Sequence, residues 1–511
     1  MTIKDCILAT ILLSTLVTST PVLQTDVPQN TSLPDPPQSS PNNPSPPPPP
    51  PPSNNDNEPQ KIPLPARTGF RTPTGQLNEP KLLHAINATL LKYNSNIRLP
   101  PLKESKFNTS SPNWHWSKRQ ASGIDVALTD DNDLLYSAPV TIGSGSSAQK
   151  FIMDFDTGSS DILVPGPLCT PQNGCTRSTH YSNTGHLLTP TASTTYGGGT
   201  AHGSIYSDAV TVANLTVPTQ SLLSVTSAPF FATGDSNYDG LFGMAFTGAS
   251  GSSSVTFVEN LLAAGDLPAH EFSFYLGRAF NGTTGQQSEL TLGGRDGTKY
   301  IGTPLHIPVV NQTAWLVALT SITIDSTSAG PAINGLAGID TGTSFIVVPQ
   351  SALAPIFNLI PGAKAIPLPT TTGTGTGGGG GNGLIMYAYP CSTPQNSMPT
   401  FHLRGTATSA PFALDPQDFS LGTVDGSFAQ SLAESEGVSV QEVEEQGLCL
   451  ASVLGVRDNV NPDLFVLGAP FLKSWYGVFG YGEVGVGGEG RGRPYVGFAK
   501  SVNCGGVGCL D

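Results

Sequence analysis

The triplet Asp-Thr-Gly occurs twice, at Asp156-Thr157-Gly158 and at Asp340-Thr341-Gly342. With this composition about 0.2 such triplets are expected by chance. Both copies extend alike, as MDFDTGSSDILVP and AGIDTGTSFIVVP. Each has apolar residues before the Asp, a hydroxyl residue and a Ser after the Gly, and an apolar run ending in Pro. Each is followed far downstream by two apolar residues and a Gly: Leu241-Phe242-Gly243 and Val466-Leu467-Gly468. A duplicated unit accounts for this better than coincidence does. If the two copies faced each other, two carboxylates would be forced together. Like charges that close cannot both ionise, so the pair would hold one proton over a broad acidic range. One carboxylate could then take a proton from water while the other donates to a carbonyl oxygen. Neither a metal, a cofactor nor a covalent intermediate is needed.

The neighbours suit that chemistry. Gly158 and Gly342 leave room for backbone beside the carboxylates. Ser159 and Thr343 place a hydroxyl where it can donate to each Asp, and Thr157 and Thr341 are placed to brace one loop against the other. Rival chemistries lack their parts. There is no H-E-x-x-H, the nearest string being HEFSF at His270, and no G-x-S-x-G elbow. The eight histidines are scattered.

The elements that must position these loops read as β-structure. From Gln120 onward, short runs rich in Val, Ile, Thr and Phe alternate with Gly, Ser and Asn turns: APVTIG, KFIMDF, DAVTVANLTV, FSFYLG, SELTLGG, TSITID. The pattern predicts an all-β, bilobal body, with one lobe over 120–308 and a second over 309–511. Short helices are expected over Val255 to Ala264 and Ser351 to Leu359. Two stretches read as loop insertions: Gly373 to Gly383, which is nearly all glycine, and the Glu-rich Ala433 to Gln446.

The segment before residue 120 differs in texture. Lys4 precedes an apolar run from Cys6 to Val17, predicting a signal peptide over 1–20 and a soluble, secreted product without a membrane anchor. Residues 21–119 read as a leader, with a proline-rich spacer over 41–53. Within it, KLLHAINATLLKY from Lys81 to Tyr93 carries the spacing of one amphipathic helix. Lys118-Arg119 stands where the leader meets the body and reads as a processing site. Residues 1–119 carry net +4 and residues 120–511 net −18. A basic leader on an acidic body suggests that the leader docks and inhibits, with Lys92 its candidate plug and Lys103 and Lys106 as rivals. The overall −14 argues against a nucleic-acid partner. Six cysteines remain after Cys6, an even number that suggests disulfides in an exported chain but allows 15 pairings. Asn214, Asn281 and Asn311 head glycosylation sequons.

From about Leu134 to Val502 the chain resembles the pepsin family of aspartic proteases, in particular its secreted fungal type, similar to polyporopepsin. The resemblance rests on both D-T-G-[ST]-S motifs and the downstream apolar-apolar-Gly elements. It implies an aspartic endopeptidase, acting as a monomer on protein or peptide substrates and preferring bulky apolar residues, with Asp156 and Asp340 catalytic. Proton sharing between the two carboxylates is a known property of that family. The resemblance further implies a flap at Tyr196-Gly197-Gly198 that binds substrate backbone, and the pairs Cys169–Cys175 and Cys391–Cys449, which leave Cys504–Cys509. The family usually has Trp where this chain has Leu163, so a looser flap is expected. Phe155, Leu163, Ile339 and Phe345 are expected to line the cleft. The alternative is a catalytically inactive binding protein on the same scaffold, which the intact Asp pair argues against.

Overall fold

The computed structural model describes residues 70, 77–93 and 123–502. Within these limits, 132–134, 178, 197–198, 229–237, 253, 279–286, 331–332, 334, 368–384, 406–408, 457, 459–462 and 483–491 are excepted. The signal segment, the proline-rich tract, Lys118-Arg119, Asn281, the Gly373–Gly383 stretch and Cys504 with Cys509 lie outside the described residues.

The body is β-rich, as the alternating runs predict. Twelve strands in chain order build its first half and the junction: β1 (Ile124–Asp131), β2 (Leu135–Ile142), β3 (Gln149–Asp156), β4 (Ile162–Pro165), β5 (His186–Tyr196), β6 (Gly199–Val212), β7 (Leu215–Ser227), β8 (Gly240–Gly243), β9 (Glu271–Tyr275), β10 (Ser288–Leu292), β11 (Tyr300–Asn311) and β12 (Leu316–Ile324). Three helices carry labels: α1 (Glu79–Tyr93), α2 (Phe257–Ala264) and α3 (Gln350–Phe357). α2 starts where Thr256 and Glu259 form a reciprocal capping box, which fixes its first turn.

The duplicated motif is a duplicated topology. β3 runs parallel to β8, and β4 crosses between β8, antiparallel, and β7, parallel. In the second half, Gly335–Ile339 runs parallel to Leu464–Leu467, while Ile346–Pro349 lies antiparallel to that strand and parallel to Val453–Val456. The downstream apolar-apolar-Gly elements are therefore the strands that flank each Asp. Their glycines are required by close approach. A Cβ at Gly243 would meet Ser160 backbone at 2.4 Å, and one at Gly468 would meet the Thr343 carbonyl at 2.2 Å.

A third sheet joins the halves. β1 pairs with β10, β10 with β9, β9 with Trp475–Gly480, that strand with Tyr495–Ser501, and the last with β11. Three of its strands come from before residue 300 and three from Tyr300 onward. A buried ion pair also crosses between distant segments. Arg278 Nε and Nη2 donate to Asp418 at 2.7 and 2.8 Å, Asp415 lies 3.1 Å from Nη2, and Ser474 Oγ donates to Asp418 at 2.6 Å. Burial opposes the Arg278 charge, but these acceptors more than offset it and hold its pKa above the ordinary value.

One expectation is corrected. The Glu-rich stretch is not a loop: it forms helices Gly426–Glu436 and Val440–Glu444. Its five glutamates face solvent, while Phe428, Leu432 and Val443 are buried. The acid content reported the outer face and hid the inner one. Helix α1, where an amphipathic helix was expected, packs through apolar side chains. Leu82, Ala85 and Ile86 of α1 share a core cluster with residues of the second half.

The joining sheet carries a pH-sensitive group. Glu289 on β10 is 7% exposed, with Asp125 and Asp296 near enough for the three carboxylates to approach within 4.8 Å. Burial first and the Asp125 charge second push its pKa up to about 7, with Lys299 opposing. The folded protein therefore holds this proton to higher pH than the unfolded chain does. The stability it adds is full below about pH 4.5 and lost as pH rises toward 7. Glu289→Gln should abolish that loss, worth up to about 3 kcal/mol. Urea melts of both proteins at the two pH values check it, and parallel slopes would exclude Glu289 as the cause.

Candidate active site

Asp156 ends β3 and Asp340 follows Gly335–Ile339, each 2% exposed. Their loops interlock through threonines of zero exposure. The Thr157 N–H donates to Thr341 Oγ1 at 2.9 Å, and the Thr341 N–H donates to Thr157 Oγ1 at 3.0 Å. Each hydroxyl then donates back across the junction, Thr157 to the Ile339 carbonyl at 2.9 Å and Thr341 to the Phe155 carbonyl at 2.6 Å. Every donor in this lattice reaches an acceptor from the other copy of the motif.

The glycines set the spacing. Gly158 N–H donates to Asp156 Oδ1 at 2.8 Å and Gly342 N–H donates to Asp340 Oδ1 at 2.9 Å. A Cβ at Gly158 would lie 2.6 Å from the Asp340 carboxylate, and one at Gly342 would lie 2.4 Å from Asp156 Oδ1. Each glycine thus lies against the carboxylate of the opposite copy. The outer positions differ. Thr343 Oγ1 donates to Asp340 Oδ2 at 2.6 Å, whereas the buried Ser159 hydroxyl has no hydrogen-bond partner among the described residues. The motif made these two hydroxyls equivalent; the geometry does not.

Two residues the motif search did not single out complete the support. Trp315, of zero exposure, donates its indole N–H to the Met244 carbonyl at 3.0 Å. Met244 N–H in turn donates to the Asp156 carbonyl at 2.8 Å, and the Trp315 carbonyl accepts from Ile339 N–H at 3.0 Å. One residue therefore ties the backbone on both sides of the site, through its side chain on one and its carbonyl on the other. A lone Trp in a strand run gives the sequence no hint of this beyond its need for a buried acceptor. The second is Asp161, 6% exposed, which accepts from Ser250 Oγ at 2.5 Å, Ser252 Oγ at 2.6 Å, Gly251 N–H at 2.9 Å and Thr194 Oγ1 at 3.1 Å. Thr194 stands two residues before Tyr196.

The β5–β6 hairpin closes at the expected flap, with Tyr196 opposite Gly199; Gly197 and Gly198 lie outside the described residues. Leu163 does not face a cleft. It has zero exposure and packs in a small core with the Cys169–Cys175 disulfide, Ala201, Ile205 and Leu223. Phe155, Ile339 and Phe345 are likewise spent in cores, each at most 1% exposed. They were expected to line the cleft, but an apolar side chain beside the motif does not say which interior it faces. Cys391 is bonded to Cys449. Asn214 is exposed in the turn between β6 and β7, and Asn311 is half-buried, its Oδ1 accepting from Thr313 N–H.

The lattice and its tryptophan strut predict two outcomes. Trp315→Phe keeps the ring but leaves the Met244 carbonyl unpaired, costing roughly 1–3 kcal/mol of stability. A chemical melt measures it, and no change would remove Trp315 from the support. Thr343→Val removes the hydroxyl that donates to buried Asp340 Oδ2 and should cost roughly 1–3 kcal/mol of stability. An unchanged chemical melt would show that this hydroxyl does not hold the carboxylate in place.

The profile of the family described as eukaryotic aspartyl protease matches residues 135–488. The chain is 27% identical over 402 residues to "Aspartic protease" of Phaffia rhodozyma, covering 78% of this chain and 84% of that protein. It is 30% identical to Cathepsin D of Dictyostelium discoideum over 384 residues, 73% and 88% of the two chains. Over 287 residues it is 32% identical to Rhizopuspepsin of Rhizopus chinensis, 54% and 67% of the two. With a doubled Asp-Thr-Gly lattice between two β halves and a family match over most of its length, the chain belongs to the eukaryotic aspartyl proteases and is an aspartic-type endopeptidase.

Proposed function

We propose that this enzyme is secreted, cuts peptide bonds at acid pH, and does so with Asp156 and Asp340 as its catalytic pair. The observation that carries the reading is the approach of each carboxylate to the glycine of the other copy. Two carboxyls that close share one proton under acid conditions. The ionised member takes a proton from a water, the water oxygen adds to the peptide carbonyl carbon, and the protonated member hydrogen-bonds the carbonyl oxygen as it gains charge. Collapse of the tetrahedral species passes a proton to the leaving nitrogen. The Tyr196 hairpin closes over the substrate and supplies backbone contacts through Gly197 and Gly198.

Export is supported by the N-terminal apolar run and by two disulfides. No helix among the described residues is long and apolar enough to cross a membrane. Other relatives include a vacuolar protease A of Aspergillus fumigatus. The leader inhibits the neutral-pH precursor through a lysine, Lys92, Lys103 or Lys106, until a cut after Arg119 frees a monomeric enzyme. Glycans on Asn214, Asn281 and Asn311 belong to the same reading. The preference for bulky apolar residues rests on the family resemblance, since its four expected liners are in the cores.

Digestion of a denatured protein at pH ~3–5, where a shared-proton pair works, should proceed and be blocked by pepstatin. Asp156→Asn and Asp340→Asn should each lower the rate by about 10²–10⁴-fold or more with an unchanged melt. Full activity in either variant would overturn the assignment.

A further inference from the structure

The leader was expected to sit on the body by charge and to depart after processing. Its described part is instead built into the second half. Phe70, Leu77, Leu82, Ala85 and Ile86 are each at most 6% exposed and share one core cluster with Phe345, Val347, Val466, Phe428 and Leu432. Phe70 stacks on Phe345 with ring centroids 5.7 Å apart.

The polar fit is equally specific. The Glu79 carboxylate accepts from the Ser427 N–H at the start of helix Gly426–Glu436. Asp425, at that helix's own N-cap, makes no side-chain capping bond. A leader residue therefore does the capping from outside the helix, where a carboxylate suits the unpaired N–H groups. Gly426 has φ +54°, and a Cβ there would lie 2.0 Å from Glu79 Oε1. The positive φ favours glycine at that position.

We propose that the 70–93 segment remains on the second half after the leader is cut, so that the mature enzyme is two chains held without a covalent link. This rests on the reading that the chain is cut near Arg119, and it leaves Lys103 or Lys106, not the retained Lys92, as the inhibiting lysine. Departure would open an apolar face that includes Phe345, five residues after Asp340, and Val466. Val466 neighbours Leu467, whose carbonyl accepts from the Asp340 N–H. The segment thus backs the loop that holds one catalytic carboxylate, and its loss lowers the rate as well as stability.

The test is size-exclusion of the secreted enzyme, then mass spectrometry under denaturing conditions. A peptide containing residues 70–93 should co-elute with the body and separate only in denaturant. A fully active enzyme that starts near residue 120 and carries no such peptide would overturn the proposal. If the active secreted protein is uncut, the processing reading fails instead. Retention is then asked by placing a site-specific protease sequence at Lys118-Arg119 and cutting in vitro. Ile86→Asp puts a charge into an apolar cluster and should lower the retained fraction by about tenfold or more. Should that variant fail to fold, Ile86→Ala should speed release of the peptide. Unchanged retention in both variants would also overturn the proposal.

Discussion

Two buried carboxylates are each held against the glycine of the opposite copy of the motif, and the rest of the molecule answers to that constraint. Left to itself a like-charged pair separates or binds water. Here separation would break four hydrogen bonds between Thr157 and Thr341 and their opposite strands, all in a region of zero exposure. Buried hydrogen bonds are modest when made and costly when left unmade. The lattice therefore resists opening more strongly than the sum of its bonds suggests.

That rigidity has to be transmitted from both halves. Trp315 does so locally, because its side chain and its backbone hold opposite flanks of the site. The six-stranded sheet does so globally, since neither half can shift without shearing a ladder of backbone bonds. Arg278 with Asp418 adds a charged pin. Replacing a buried pair with apolar groups can be neutral, but removing one partner strands a charge. A pin of this kind tolerates little variation, which suits a joint more than a surface.

The parts legible in the sequence were local and repeated. The doubled motif, the strand texture and the α2 capping box are written in neighbouring residues, so they survive reading in one dimension. The parts missed depend on which of several interiors a side chain enters. Leu163, Phe155 and Phe345 were expected to line the cleft, yet each fills a different core. Asp161 is an ordinary acid in sequence and becomes a hub only because the serines near residue 250 return to it. The glutamates of 434–445 concealed a helix pair, since charge on one face says nothing about Phe428 and Leu432 on the other. Ser159 and Thr343 match in sequence and differ in geometry, because a duplicated topology does not oblige equal surroundings.

The joining sheet also bears on how the chain can fold. Its first strand begins at Ile124 and another begins at Tyr495, with almost the whole body between them. Pairings of such long sequence separation carry a large loop-closure entropy and form slowly. During synthesis the first half can build β2 to β8 early, but the sheet that fixes the two Asp loops in register must wait for the last strands to leave the ribosome. Until then β9, already paired with β10 on one side, offers an unpaired edge on the other, the hallmark of an aggregation-exposed intermediate.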